Sequence, residues 1–124
     1  MITLFSFSGT VFRHLGRGKK LGYPTANIPI PPDTPEGIFV GYAHVESQLY
    51  PALVFVGRPL TFGEIDKKAE VYLLDFDRDI YEAKMTIDVI KKLRENIKFN
   101  SKEELIAQMK EDERTARAYF QKHY

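Results

Sequence analysis

The 124-residue chain contains no cysteine, which excludes disulfides, thiolate metal sites and cysteine nucleophiles together. Its formal net charge is only +1, so the chain as a whole is neither a polyanion binder nor an acidic solvating tail, and any anion binding has to be local. Long apolar runs are missing as well. The longest are strand-like pieces such as Ala52 to Val56, far below the ~20 residues of a bilayer span, and the amino terminus lacks the charged start of a secretory signal. The expectation is a cytoplasmic protein with no membrane association. Repeats and low-complexity tracts do not occur, and a length within the usual range of about 100 to 150 residues predicts a single domain over 1–124. A chain of this size buries roughly two-thirds of its unfolded surface, so it needs neither a disulfide nor a metal to fold.

What is present reads mainly as strand. Residues 2–13, ITLFSFSGTVFR, are rich in β-branched and aromatic residues and predict a first strand interrupted near Gly9. Residues 29–37 hold four prolines and a glycine, a composition that forms a stiff surface connection within the domain. Further strands are expected over Ile38–Val45, Ala52–Val56, Ala69–Phe76 and Ala83–Ile90. In the last of these Met85, Ile87 and Val89 alternate with Lys84, Thr86 and Asp88, the pattern of a strand with one wet face. Short turns between successive strands imply an antiparallel sheet, and closure into a small barrel removes its edges. The period then changes. Ser101 and Glu104 make a capping box, and Leu105, Met109, Ala116 and Phe120, with Ile106 and Tyr119 beside them, form a helical stripe that predicts a carboxy-terminal helix packed on the barrel. Lys110, Glu111, Glu113, Arg114 and Arg117 are expected on its solvated face.

The densest chemistry lies between Gly16 and Asn27, GRGKKLGYPTAN. Gly16, Gly18 and Gly22 permit close backbone approach to a ligand, and Arg17, Lys19 and Lys20 add positive charge suited to phosphate oxygens. Neither common nucleotide fingerprint fits, since Leu21 stands where GxGxxG needs glycine and Lys20 where a P-loop needs Ser or Thr. Pro24 sends the chain out of this loop in extended geometry. In a strand Thr25 and Asn27 then share a face, offering a hydroxyl and an amide oxygen of the type that completes a magnesium shell with phosphates and water. The alternative is a flexible basic hairpin loop leading into a strand.

Glu70 opens EVYLLDF and shares a face with Tyr72, Leu74 and Phe76. With that face inward, Glu70 would lie at the barrel rim among aromatics, a setting suited to a general base; with it outward, Glu70 is an exposed strand-end carboxylate. GRPLTF, residues 57–62, either walls a pocket or is a plain connection. Arg94 binds a substrate or pairs with a neighbouring acid. His44 and His123 have no metal-ligand spacing to each other.

Taken in order, the Gly9-to-Asn27 pattern ending LGYPTAN, then GRPLTF, EVYLLDF, DIYE, LREN with IKF, and a capped helix carrying Gln108 and Asp112, resemble the riboflavin kinase domain family over nearly the whole chain. The resemblance implies a six-stranded antiparallel Greek-key barrel with a terminal helix. It implies transfer of the γ-phosphoryl group of ATP to the terminal ribityl hydroxyl of riboflavin, giving FMN and ADP. Thr25 and Asn27 would hold magnesium and phosphate, Glu70 would be the base, and the Gly16 to Gly22 loop, with Pro24 behind it, would cover the nucleotide phosphates. Arg94 matches an arginine of the flavin-side loop. Two departures stand out: Phe55-Val56-Gly57 where the family reads Asn-Ile-Gly, and Ile80-Tyr81-Glu82 where it reads Leu-Tyr-Gly. The expected state is a monomer without a nucleic-acid partner and without FAD synthesis. A non-catalytic flavin- or nucleotide-binding module, or an RNA-binding barrel working through Arg13, His14, Arg17, Lys19 and Lys20, are the alternatives.

Overall fold

Alternating side chains decide which way each strand faces. The structure, a computed structural model, describes residues 3–11, 25–58, 67–75 and 83–123. Within them lie β1 (Phe5–Thr10), β2 (Ala26–Ile28), β3 (Gly37–Val45), β4 (Gln48–Gly57), β5 (Lys68–Leu73), β6 (Lys84–Arg94) and one helix, α1 (Lys102–His123). All neighbours are antiparallel, in the order β1-β6-β3-β4-β5-β2. Because β3, β4 and β5 follow one another and β6 returns to lie beside β3, the topology is a Greek key. The sheet curls until its two ends meet: a Cβ on Gly9 of β1 would stand 3.0 Å from Ile28 of β2. The expected mainly-β barrel with a terminal helix is what the chain forms.

One face of every strand fills the barrel. Phe7, Ile28, Phe39, Val54, Val71 and Ile87 belong to one buried cluster inside it. On β6 the predicted alternation holds, with Met85, Ile87 and Val89 fully buried. Curvature comes partly from bulges where β3 meets β6, between Ile38 and Phe39 and between Val40 and Gly41. At the second, β6 comes so close that a Cβ on Gly41 would lie 2.4 Å from the Asp88 carbonyl oxygen.

β4 begins four residues earlier than its apolar run suggested, at Gln48 instead of Ala52. The hairpin turn is Glu46-Ser47, both with positive φ (49° and 69°), the two-residue geometry that matches strand twist but is usually signalled by Asn-Gly. Pro51 is tolerated in this central strand because its β4–β5 ladder starts only at Ala52. The Pro51 carbonyl accepts a bond from the Leu74 N–H (3.0 Å) just beyond the end of β5. The proline-rich connection is tied down by Thr34, whose hydroxyl donates to the Pro31 carbonyl (2.8 Å), and by Lys67, whose ammonium donates to the carbonyls of Pro32 (2.8 Å) and Thr34 (2.6 Å).

α1 starts as its cap predicted, with the Glu104 N–H donating to the Ser101 hydroxyl (3.1 Å). Its stripe buries Ala116 and Phe120 on the outside of the barrel against Val40, Tyr42, Leu74 and Ile90. Phe120 meets the Tyr42 ring edge-on at 5.3 Å. Two of the charges expected on the solvated face are engaged instead. Arg117 donates to Asp75 (3.0 and 3.1 Å) and to Glu113 (2.9 Å), linking the helix to the turn after β5. Among the described residues no helix is long and apolar enough to cross a membrane.

Candidate active site

β2 is only three residues long, yet it brings the candidate ligands together. It pairs with β5 so that Asn27 lies opposite Glu70. Directly opposed residues share a face, and the Thr25 hydroxyl indeed reaches Glu70 Oε1 at 3.5 Å. The face is the outer one. Ala69, Val71 and Leu73 occupy the barrel interior, which sends Glu70 and Tyr72 outward, so the inward option for Glu70 is overturned. The small and branched side chains of β5 fit the narrow interior, and on the outer face Tyr72 packs with Ala116 and Phe120 of α1. Glu70 is nevertheless no free strand end, since its side chain is 21% exposed.

Register carries this face across five strands. Asn27 stands beside Glu70, Glu70 beside Phe55, Phe55 beside Ile38, and Ile38 beside Arg94. At ~4.8 Å per strand the row spans about 19 Å. Its carboxylate and oxygen donors are at one end, two apolar side chains in the middle, and a guanidinium at the other.

Asn27 is 5% exposed, and its Oδ1 has no hydrogen-bond partner among the described residues. A buried amide oxygen without a donor costs about 1 to 3 kcal/mol, so such an atom points to a ligand. Thr25 Oγ1 lies on the same face. Two neutral oxygens beside a carboxylate suit a hard divalent cation, and the donor set fits the metal expected there.

Glu70 has a neighbour that the sequence reading passed over. Lys68, two residues earlier on the same strand face, is buried, with its ammonium 4.0 Å from Glu70 Oε1. The i, i+2 spacing in EVYLLDF and the KKA before it was the available signal.

Arg94 is turned toward α1. Its Nε and Nη2 donate to the two Asp112 oxygens at 2.9 and 2.7 Å, and Nη1 donates to the Glu95 carbonyl at 3.0 Å. Gln108 donates to the same carboxylate (2.9 Å). Of the two readings of Arg94, pairing with an acid is therefore realised, and among the described residues one N–H on each terminal nitrogen has no acceptor. Asp112, which occupies a stripe position of α1, was legible only as a charge on an otherwise apolar face.

The segment after β6 is held to β4. Asn96 donates to the Arg58 carbonyl (3.0 Å), and Gly57, with φ of 151°, leaves room for the Asn96 amide, since a Cβ would lie 2.9 Å from its nitrogen. Gly16, Arg17, Gly18, Lys19, Lys20, Gly22 and Pro24 lie outside the described residues, as do Thr61 and Glu82. Tyr72, one row further along, has its phenol pushed up first by burial and then by Glu113, so it stays protonated beside the helix.

The chain resembles known proteins over nearly its whole length. The profile of the family Flavokinase, described as riboflavin kinase, matches residues 2–120. The chain is 34% identical over 98% of its length to the trifunctional protein RibF/MnmA of Mycoplasmoides gallisepticum, of which it covers 19%. It is 35% identical over 85% of its length to the RNA-binding riboflavin kinase RibR of Bacillus subtilis, of which it covers 46%. The chain thus spans less than half the length of these curated relatives. Its fold is similar to the crystal structure of riboflavin kinase from Trypanosoma brucei, with a TM-score of 0.69, 26% identity, and coverage of 98% of this chain and 82% of that one. With a family profile matching nearly end to end and the fold in agreement, the chain belongs to the riboflavin kinase family.

Proposed function

We propose that this protein transfers the γ-phosphoryl group of ATP to the 5'-hydroxyl of riboflavin, yielding FMN and ADP. The observation that carries the reading is the buried Asn27 oxygen, without a hydrogen-bond partner among the described residues, standing beside Thr25 and opposite Glu70. The riboflavin kinase family uses ATP and a divalent metal. Here Thr25 and Asn27 would hold that ion, which we take to be magnesium, and it would neutralise charge on the nucleotide phosphates. Glu70 accepts the proton of the ribityl hydroxyl as its oxygen bonds to the γ-phosphorus. The bond from that phosphorus to the bridging oxygen breaks, and its electron pair leaves with ADP. Phosphoryl transfer depends mostly on positioning and charge stabilisation, and an oriented carboxylate base typically adds about 10²- to 10⁴-fold. Phe55 and Ile38 offer an apolar floor between the base and Arg94, and Arg94 would contribute its remaining N–H groups at the flavin end. In this reading the protein acts in the cytoplasm as a monomer and needs no nucleic acid.

The test is chromatographic detection of FMN and ADP after mixing the protein with riboflavin, ATP and magnesium, with Glu70→Gln alongside. FMN from the parent and orders of magnitude less from the variant is the expected result. No FMN from the parent with any nucleotide or divalent ion would leave a binding module in which Phe55 stands where the family has an amide.

A further inference from the structure

Two adjacent lysines at the start of β5 do different work. The Lys67 ammonium donates to the carbonyls of Pro32 and Thr34 and lies 3.9 Å from Glu36, so it pins the proline-rich connection. Lys68 points to the opposite face, where its side chain is 5% exposed and its ammonium lies 4.0 Å from Glu70 Oε1. Lysine is among the residues least often buried, because removing an ammonium from water is costly unless it faces a compensating charge. The Thr25 hydroxyl approaches the same oxygen at 3.5 Å. Both neighbours therefore converge on Oε1, and among the described residues Oε2 has no hydrogen-bond or ion-pair partner.

A carboxylate with one oxygen held and the other open is oriented. Left alone, a glutamate on an outer sheet face samples several rotamers, and only some of them present an oxygen to a substrate hydroxyl. A cation anchored in the strand beside it narrows that choice. We propose that Lys68 is a positioning residue for phosphoryl transfer: its buried ammonium holds Glu70 by Oε1 so that Oε2 is presented to the substrate hydroxyl. This inference rests on Glu70 acting as the proton acceptor.

The test is steady-state kinetics of FMN formation by the full chain with Lys68→Met, Lys68→Arg, Glu70→Gln and the double variant Lys68→Met/Glu70→Gln. Lys68→Met lowers kcat about 10- to 100-fold, the loss that misplacing a reacting group produces, while KM for riboflavin and for ATP stays close to the parent's. Lys68→Arg restores most of the rate. In the Glu70→Gln background Lys68→Met causes no further loss, the non-additivity of residues acting through one another. Thermal melts accompany each variant, and Lys68→Gln, which keeps a donor without the charge, replaces Lys68→Met should that protein not fold. An unchanged kcat overturns the proposal. So does an equal fall in both backgrounds, which would make the lysine act independently of Glu70, and so does a rise in KM for ATP alone, which would make it a phosphate ligand. Full activity of Glu70→Gln by itself defeats the base assignment, and the positioning role with it. That result is read from a variant in which Lys68 is intact, so the two failures are told apart.

Discussion

Asp112 grips Arg94 through two parallel hydrogen bonds, 2.9 Å from Nε and 2.7 Å from Nη2, and so joins α1 to the last strand at the edge of the candidate site. The Asp112 side chain is 7% exposed and that of Arg94 21%. Removing one member leaves the other charge poorly solvated, which is costlier than losing the net benefit of the pair. Asp112→Ala is expected to destabilise the fold by about 2 to 3 kcal/mol. Urea unfolding would show this as a lower midpoint with an unchanged slope. A midpoint equal to the parent's would show that the pair does not hold the helix.

Asn27→Ala removes a buried oxygen that has no hydrogen-bond partner among the described residues. Its expected effect is on ligands: weaker binding of the magnesium–nucleotide complex, with riboflavin binding much less affected. Titration calorimetry with each ligand separately measures the difference. Unchanged nucleotide affinity would remove Asn27 from the metal-phosphate end of the site.

Gly57→Ala introduces strain in two ways. The backbone has φ of 151°, which L side chains rarely adopt, and the new methyl would stand 2.9 Å from the Asn96 amide nitrogen and 3.2 Å from Glu36 Oε1. A loss of about 1 to 3 kcal/mol is expected, read as a lower melting temperature. Asn96→Gly combined with Gly57→Ala should recover the steric part of this loss and leave the backbone part.

Asp88 predicts an acid response. The Ser6 hydroxyl (2.7 Å), and after it the His44 ring (2.7 Å), hold its carboxyl below the usual carboxylate range. A group acidified by folding lends stability that is complete above its unfolded value, about 3.9, and is lost as pH falls through the lower folded value. The parent should therefore lose stability below about pH 4 more steeply than Asp88→Asn, which lacks this contribution at neutral pH already. Unfolding curves collected from pH 7 down to pH 2 test it, and parallel profiles for the two proteins would take Asp88 out of the acid response.

How far the fold was legible varies along the chain. Met85, Ile87 and Val89 read correctly because alternation on a strand with one wet face is a local property. The first residues of β4 did not, since Glu46-Ser47 makes its hairpin turn without the residues that usually advertise one. The site divides similarly. Thr25 and Asn27 share a face by strand geometry alone, whereas Lys68 gains its meaning only beside the Glu70 oxygen it approaches, and Asp112 only when Arg94 arrives.

The strand-rich class, the capped helix, the proline connection, and the donor types that suit phosphate and a hard cation follow from the order of residues, because periodicity, caps and side-chain chemistry are local. Which face of β5 is interior, and what stands opposite Glu70, came from the folded packing. Both faces of that strand carry apolar residues: Ala69, Val71 and Leu73 fill the barrel, while Leu74 and the flank of Tyr72 lie under α1. Alternation cannot rank two faces that are both covered. Packing ranks them, and the long-range register that follows brings Thr25 to Glu70 across a separation of 45 residues.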